Sequence, residues 1–309
     1  MNLLNLQDRA QGCLLGLAVG DAVGTTVEFK DRGTFTPLTD MVGGGPFNLP
    51  AGDWTDDTSM ALCLADSLIN TGFDPKNQMD QYVDWYLNGH MSTTGRCFDI
   101  GGTTRSALER YRRDPEKNPF AGSTHFLDAG NGCIMRLAPV PIRYSNNPEL
   151  ARELSGTQSS TTHGSDECVE ASSMFGEILV RALNGETYKA KLVILEENGL
   201  RSPNLDAIAR GDYLTKSVTD IKGSGYVVES LEAALWCFMS TDNFRDCILA
   251  AANLGDDADT TAAVAGQLAG AYYGLTGIPD TWVKRVAWGT QIISMADQLL
   301  EAQNELNHD

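Results

Sequence analysis

Two stretches about two hundred residues apart share one composition: Trp54-Thr55-Asp56-Asp57-Thr58-Ser59 and Gly255-Asp256-Asp257-Ala258-Asp259-Thr260-Thr261. Each runs straight into an apolar segment of helical period, Met60-Ala61-Leu62 in the first and Ala262 to Ala269 in the second. At such a place Asp, Thr and Ser are ordinary helix N-caps, whose side-chain oxygens satisfy the free amides of the first turn. A single cap uses one side chain, however, and three carboxylates within four residues repel one another, so a compensating cation accounts for what capping leaves over. The donors are oxygens with no His or Cys beside them, which selects Mg2+, Mn2+ or Ca2+ over zinc. Thr55, Asp56 and Asp57 with Asp257, Asp259 and Thr260 make six oxygen donors, enough for two ions completed by water and substrate. Asp256 is the weaker donor, because alternate positions of an extended loop point to opposite sides.

Other segments carry single candidates. Gly20-Asp21-Ala22-Val23-Gly24 leads to Glu28, a carboxylate just beyond an apolar helix and a candidate general acid or base. Two Gly-rich loops, Cys97 to Thr104 and Ala129 to Arg136, run into helix-like or apolar segments, where exposed amides can hold phosphate. Neither matches a phosphate-loop or dinucleotide fingerprint, and a plain turn is the commoner explanation of each. Of the four histidines, His163 in Ser160-Thr161-Thr162-His163-Gly164 precedes a helix and is the one with a site-like setting, although capping or packing suits it as well. No Ser/His/Asp nucleophile elbow is present.

The elements that must position these groups read almost entirely as helix. Apolar residues at three- and four-residue spacing predict helices over Leu3 to Gly20, Thr58 to Asn70, Asn77 to Leu87, Thr103 to Arg112 and Glu167 to Leu183. Five more follow over Thr187 to Asn198, Val227 to Met239, Asn243 to Leu254, Thr261 to Tyr273 and Thr281 to Asn304. The best strand candidate, Ala138 to Tyr144, contains Pro139 and Pro141, so a sheet-based fold is disfavoured. The long irregular stretches, Phe29 to Trp54, Met91 to Gly102 and Asp114 to Gly132, are where binding groups of a helical protein belong. With no linker-like segment, repeat or composition step, the expectation is one all-α domain over residues 1–309.

Composition narrows the function classes. Charged residues are 21% and hydrophobic ones 42%, which fits a folded chain nearly throughout. The formal charge of −18 repels phosphate backbones and anionic lipid, so neither nucleic acid nor membrane is expected as a partner. Seven cysteines without a C-x-x-C pair point to reduced thiols and a cytoplasmic location. The opening apolar run, Leu14 to Val19, reads as too short and too interrupted by Gly16 and Gly20 for a membrane span, and no basic segment precedes it as in a signal peptide.

Taken in order, these motifs resemble those of the ADP-ribosylglycohydrolase family, most closely the bacterial dinitrogenase reductase-activating glycohydrolases. The matching segments are Gly12-Cys13-Leu14-Leu15-Gly16, Gly20 to Gly24 with Glu28, Trp54 to Thr58, Phe98-Asp99-Ile100-Gly101, Gly130-Asn131-Gly132 with Met135-Arg136, Thr162-His163, Gly225 to Val228, and Gly255 to Thr261. The resemblance implies a single compact multi-helix domain with a dinuclear centre of Mg2+ or Mn2+ in a central cleft, ligated by Thr55, Asp56, Asp57, Asp257, Asp259 and Thr260. It implies hydrolysis of the glycosidic bond between ADP-ribose and a protein side chain, arginine in the dinitrogenase reductase type, with an ADP-ribosylated protein as substrate and ADP-ribose as product. Glu28 and Asp99 match the acidic residues near the scissile bond, and Gly102, Gly130, Asn131, Gly132, His163 and Tyr226 match segments lining the ADP-ribose cleft. The family often has a second glycine where this chain has Asp256. Other outcomes on the same scaffold are a catalytically silent ADP-ribose-binding or structural protein, and a hydrolase of another ADP-ribose linkage or of nucleotides. The first would lack a metal ligand or Glu28, and none is lacking here.

Overall fold

A computed structural model describes residues 5–195 and 199–305. Helices α1 (Leu6–Gly24), α2 (Asp56–Thr71), α3 (Pro75–Asn88) and α4 (Gly102–Arg113) come first, then the short α5 (Gly132–Met135) and α6 (Pro139–Arg143). Next are α7 (Pro148–Ser159), α8 (Asp166–Leu183), α9 (Lys189–Val193), α10 (Pro203–Ala209), α11 (Val227–Met239) and α12 (Phe244–Ala252). The chain closes with α13 (Ala258–Tyr273), α14 (Asp280–Arg285) and α15 (Gly289–Glu305). Among the described residues there is no strand, only isolated bridges, two of which, Ser123 with His163 and Gly130 with Tyr226, join loops to one another. The fold is all-α and a single domain.

One contact organises the rest. Gly12, Gly16, Gly20 and Gly24 recur every fourth residue, which puts them on one stripe of α1. A Cβ on them would lie 2.4 Å from the carbonyl oxygen of Gly270, 2.3 Å from that of Gly266, 2.1 Å from that of Ala262 and 2.3 Å from that of Ala258. The two helices therefore run antiparallel with their backbones touching, and only small residues permit it. The consequence for function is positional, since the C-terminal end of α1 arrives at the N-terminal end of α13.

Burial on every side explains why α1 is apolar all round. With the following turn, Leu6–Val27 is long and apolar enough to cross a membrane, contrary to the short run read from the sequence, yet 89% of its apolar window is buried inside the protein. The glycines that seemed to interrupt the run are its packing surface.

Other expectations are also revised. Ala138 to Tyr144 is no strand: Pro139 occupies the start of α6, where its missing N–H costs nothing. Of the helix expected over Thr187 to Asn198 only the five-residue α9 forms, and 196–198 lie outside the described residues. The expected start at Leu3, and His308, also lie outside them. All seven cysteines are free, and only Cys97 is less than buried.

Candidate active site

Asp21 lies one turn before the end of α1, and its carboxylate accepts four hydrogen bonds from the start of α2. The donors are the amides of Thr55 (2.9 Å) and Thr58 (3.1 Å) and the hydroxyls of Thr55 (3.0 Å) and Thr58 (2.6 Å). Glu28, just past the turn that follows α1, does the same for α13: its Oε2 accepts the amides of Ala258 (2.7 Å) and Asp259 (3.2 Å). Both helix N-termini are thus capped from α1. The residues at their own N-cap positions, Thr55 and Asp257, make no side-chain capping bond. Capping therefore does not account for the local Thr and Asp side chains, which remain available to one another.

They converge. Asp21, Asp57 and Asp259 each bring a carboxylate oxygen within 4.8 Å of the others, and so do Glu28, Asp257 and Asp259, so two acidic triads share Asp259. The Thr55 hydroxyl lies 3.2 Å from Asp57 and 3.4 Å from Asp259, and that of Thr260 lies 3.5 Å from Asp57. Asp57 Oδ1 is buried with no hydrogen-bond partner. Among the described residues no Lys or Arg pairs with any of these carboxylates.

The electrostatic consequence is strong. Burial, together with neighbouring carboxylates, pushes the Asp56, Asp57 and Asp259 carboxyls well above their ordinary range. Burial raises Asp21 to about 6 and Asp99 to about 7, and burial with Asp257 alongside raises Glu28 to about 8. An orphaned buried oxygen amid mutually repelling carboxylates is what a hard-cation site offers before charge compensation. The acidic cluster fits a bound metal ion.

Beside it opens a cleft of about 880 Å3. Glu28, Asp56, Asp99, Asp257, Asp259 and Thr260 line it, with Gly102, Gly130, Asn131, Gly132 and His163 farther along the chain. Thr55 and Asp57 are fully buried and do not line it. Tyr226 does not line it either: its hydroxyl donates to Glu167 at 2.5 Å, and its backbone bridges to Gly130. Asn131 turns its amide to Asp257 (3.0 Å) and Ser230 (3.2 Å), so its side chain orients a carboxylate.

His163 is walled in by glycine. A Cβ on Gly132 would meet its Cε1 at 2.7 Å, and one on Gly130 its Nε2 at 3.2 Å. Its Nδ1 sits 2.8 Å from the Thr162 hydroxyl, which accepts from the buried Arg136 guanidinium at 2.8 Å. Burial, reinforced by that guanidinium, drives the imidazole down to about 3, so it is neutral at physiological pH. It can shape and hydrogen-bond a ligand but not act as a cationic acid.

The first turn of α4 forms another part of the lining. Gly101 caps it without a side chain, and Gly101 and Gly102 have open space where a Cβ would stand, so the first amides of the helix face a roomy cleft. Arg105 in the same turn is the only cation among the lining residues. Sequence reading passed over Arg105, and Asp21 as well. A single carboxylate within the apolar run from Gly12 to Gly24 was the available signal for Asp21, because a buried charge needs partners.

The ADP-ribosylglycohydrolase family model matches residues 2–308. An ADP-ribosylarginine hydrolase, Tri1, of Pseudomonas putida (strain GB-1) is 50% identical over 295 residues, covering 95% of this chain and 78% of that one. An ADP-ribosyl-(dinitrogen reductase) glycohydrolase of Rhodospirillum rubrum is 33% identical, covering 91% of each. A solved structure titled as an ADP-ribosylglycohydrolase-related protein complex superposes with a TM-score of 0.86 at 42% identity, covering 97% of this chain and 99% of that one.

Proposed function

The chain belongs to the ADP-ribosylglycohydrolase family, and from that premise we propose that it hydrolyses the N-glycosidic bond between ADP-ribose and an arginine side chain of a modified protein, releasing ADP-ribose. The observation that carries the reading is the capping of α2 and α13 by Asp21 and Glu28, which leaves the carboxylates of Asp56, Asp57, Asp257 and Asp259 gathered, without a cationic partner among the described residues, at one end of a cleft. Two Mg2+ or Mn2+ ions suit the donor set Thr55, Asp56, Asp57, Asp257, Asp259 and Thr260. Bound there, such ions would supply the positive charge that offsets the carboxylates and attracts the substrate's oxygen atoms.

The remaining work falls to the chain's own groups. Cleavage passes through an oxocarbenium-like state, which nearby carboxylates stabilise, and the leaving nitrogen needs a proton. Glu28 and Asp99 line the cleft and are the groups placed to hold or return that proton. The amides at the start of α4 from Gly102 onward, with Arg105 beside them, suit the pyrophosphate. Gly130, Gly132 and neutral His163 shape the ADP-ribose side of the cleft, Asn131 steadies Asp257, and Tyr226 supports the Gly130 loop through its backbone. We place this activity in the cytoplasm, without nucleic-acid or membrane partners, on the reduced thiols and the net charge of −18.

The test is release of ADP-ribose from an ADP-ribosylated arginine protein, run with Mg2+ or Mn2+ and with chelator, beside nucleotides and serine-linked ADP-ribose as competing substrates. Metal-dependent release from arginine supports the reading. Binding without turnover, or a preference for nucleotides, overturns it.

A further inference from the structure

Phe29 follows Glu28, and the residue is 67% exposed while its backbone holds φ +62°. A bulky residue avoids that left-handed region, and strain of this kind at a site is kept by surrounding structure. The surroundings are Asp256, also left-handed at φ +58°. The Phe29 amide donates to the Asp256 carbonyl at 2.8 Å, and the Asp256 amide donates to the Lys30 carbonyl at 2.9 Å. This clip presents an aromatic ring and a carboxylate side by side on the cleft lining. Phe47 packs edge-on to Phe29 (ring centroids 6.2 Å apart) and to Phe98 (5.3 Å), and Phe98 precedes Asp99. A chain of three rings therefore links the residue after Glu28 to the residue before Asp99, and of the three it is Phe29 that lines the cleft.

Resting on the arginine reading above, we propose that Phe29, backed by Phe47 and Phe98, and Asp256 form the acceptor subsite that holds the guanidinium and aliphatic stem of the modified arginine. The chemistry favours that occupant over the ADP half of the substrate. Aromatic faces are negative and attract planar cations, and a guanidinium stacks on them while its N–H groups reach a carboxylate. A pyrophosphate is repelled by the same groups and finds its donors at the α4 N-terminus and Arg105. Edge-on packing against Phe47 still leaves Phe29 largely exposed at a conformational cost, and a stacking partner would cover the face that stays open.

The experiment uses the full chain with Mg2+, an ADP-ribosylated arginine peptide as substrate and free ADP-ribose as competitive inhibitor. Phe29→Gly keeps the left-handed backbone without strain and removes only the ring, so its thermal midpoint should equal or exceed that of the parent. KM for the arginine peptide should rise about tenfold while the inhibition constant of ADP-ribose stays unchanged. Phe29→Trp should keep KM near the parental value, and Asp256→Asn should raise KM with a loss of its salt dependence. An unchanged KM in Phe29→Gly, or an equal rise in KM and in the ADP-ribose inhibition constant, overturns the subsite. If the parent releases nothing from arginine, the arginine reading itself falls, a result distinct from either.

Discussion

Glu28 Oε2 lies 2.7 Å from the amide nitrogen of Ala258, so a carboxylate that follows the first helix caps the helix carrying the second acidic motif. That bond decides what the neighbouring side chains are free to do. It satisfies the N-terminus of α13 from outside, and Asp257 and Asp259 are left facing Asp57 and the cleft.

Isosteric neutralisation should separate chemistry from scaffolding. Glu28→Gln keeps a carbonyl oxygen for the Ala258 amide, and Asp99→Asn keeps the side-chain shape, so both should fold and bind metal. Each should lose kcat by a factor on the order of a hundred or more, the usual scale for a positioned acid or base. If Asp99 serves the leaving nitrogen, Asp99→Asn should hurt an arginine-linked substrate more than one with a better leaving group, while Glu28→Gln slows both alike. Steady-state rates on the two substrates decide it.

Removal of Asp21 should act through structure. Asp21→Ala deletes the acceptor of four hydrogen bonds and strands buried donors of Thr55 and Thr58, a loss of about 2 kcal/mol after the relief of carboxylate repulsion is set against it. The α2 start should loosen and divalent-ion affinity should fall with it. Thermal unfolding and calorimetric metal titration should move together; affinity unchanged in a destabilised variant would show that the cap does not position the ligands.

Without divalent ions, stability should fall as pH rises. Carboxyls at Asp21, Asp99 and Glu28 titrate near 3.8, 3.8 and 4.5 when unfolded and at about 6, about 7 and about 8 when folded. The folded state therefore binds more protons between these values. Its stabilisation is complete below the unfolded values and is lost as pH climbs from about 4 through 8. Saturating Mg2+ should flatten the profile by supplying the missing positive charge, and a thermal midpoint rising with pH in chelator would refute the assignment. Chelation should abolish activity while the helical core persists.

Gly16→Val tests the helix contact that sets the site. Its Cβ would stand 2.3 Å from the Gly266 carbonyl oxygen, and backbone cannot step aside as a flexible side chain can. A loss of about 3 kcal/mol or more in denaturant unfolding is expected, with metal binding lost in any folded remainder.

Gly132→Val should strike the ADP-ribose side alone. The new Cβ meets the His163 ring at 2.7 Å, so the ring must shift. Calorimetry should show weaker ADP-ribose binding at unchanged metal content.

Helical period, and acidic groups set just before helices, are local properties, so the all-α class and the two Thr/Asp motifs were legible from neighbouring residues. So was the crowding of Asp256, Asp257 and Asp259, because charge repulsion within four residues is a fact of the chain itself. Which of those side chains cap and which remain free was not, since the caps come from Asp21 and Glu28, 34 and 230 positions away from the amides they accept. The two prolines of Ala138 to Tyr144 spoke against a strand, as the structure bears out, but the short helix α6 that forms there was not legible. The exposure of Phe29 and the left-handed Asp256 depend on a backbone clip between two loops, which exists only once Gly16 and Gly266 let α1 and α13 touch. Sequence carries the identity of the acidic side chains, but their meeting point is set by how closely two backbones can approach, and that is a property of the packed chain.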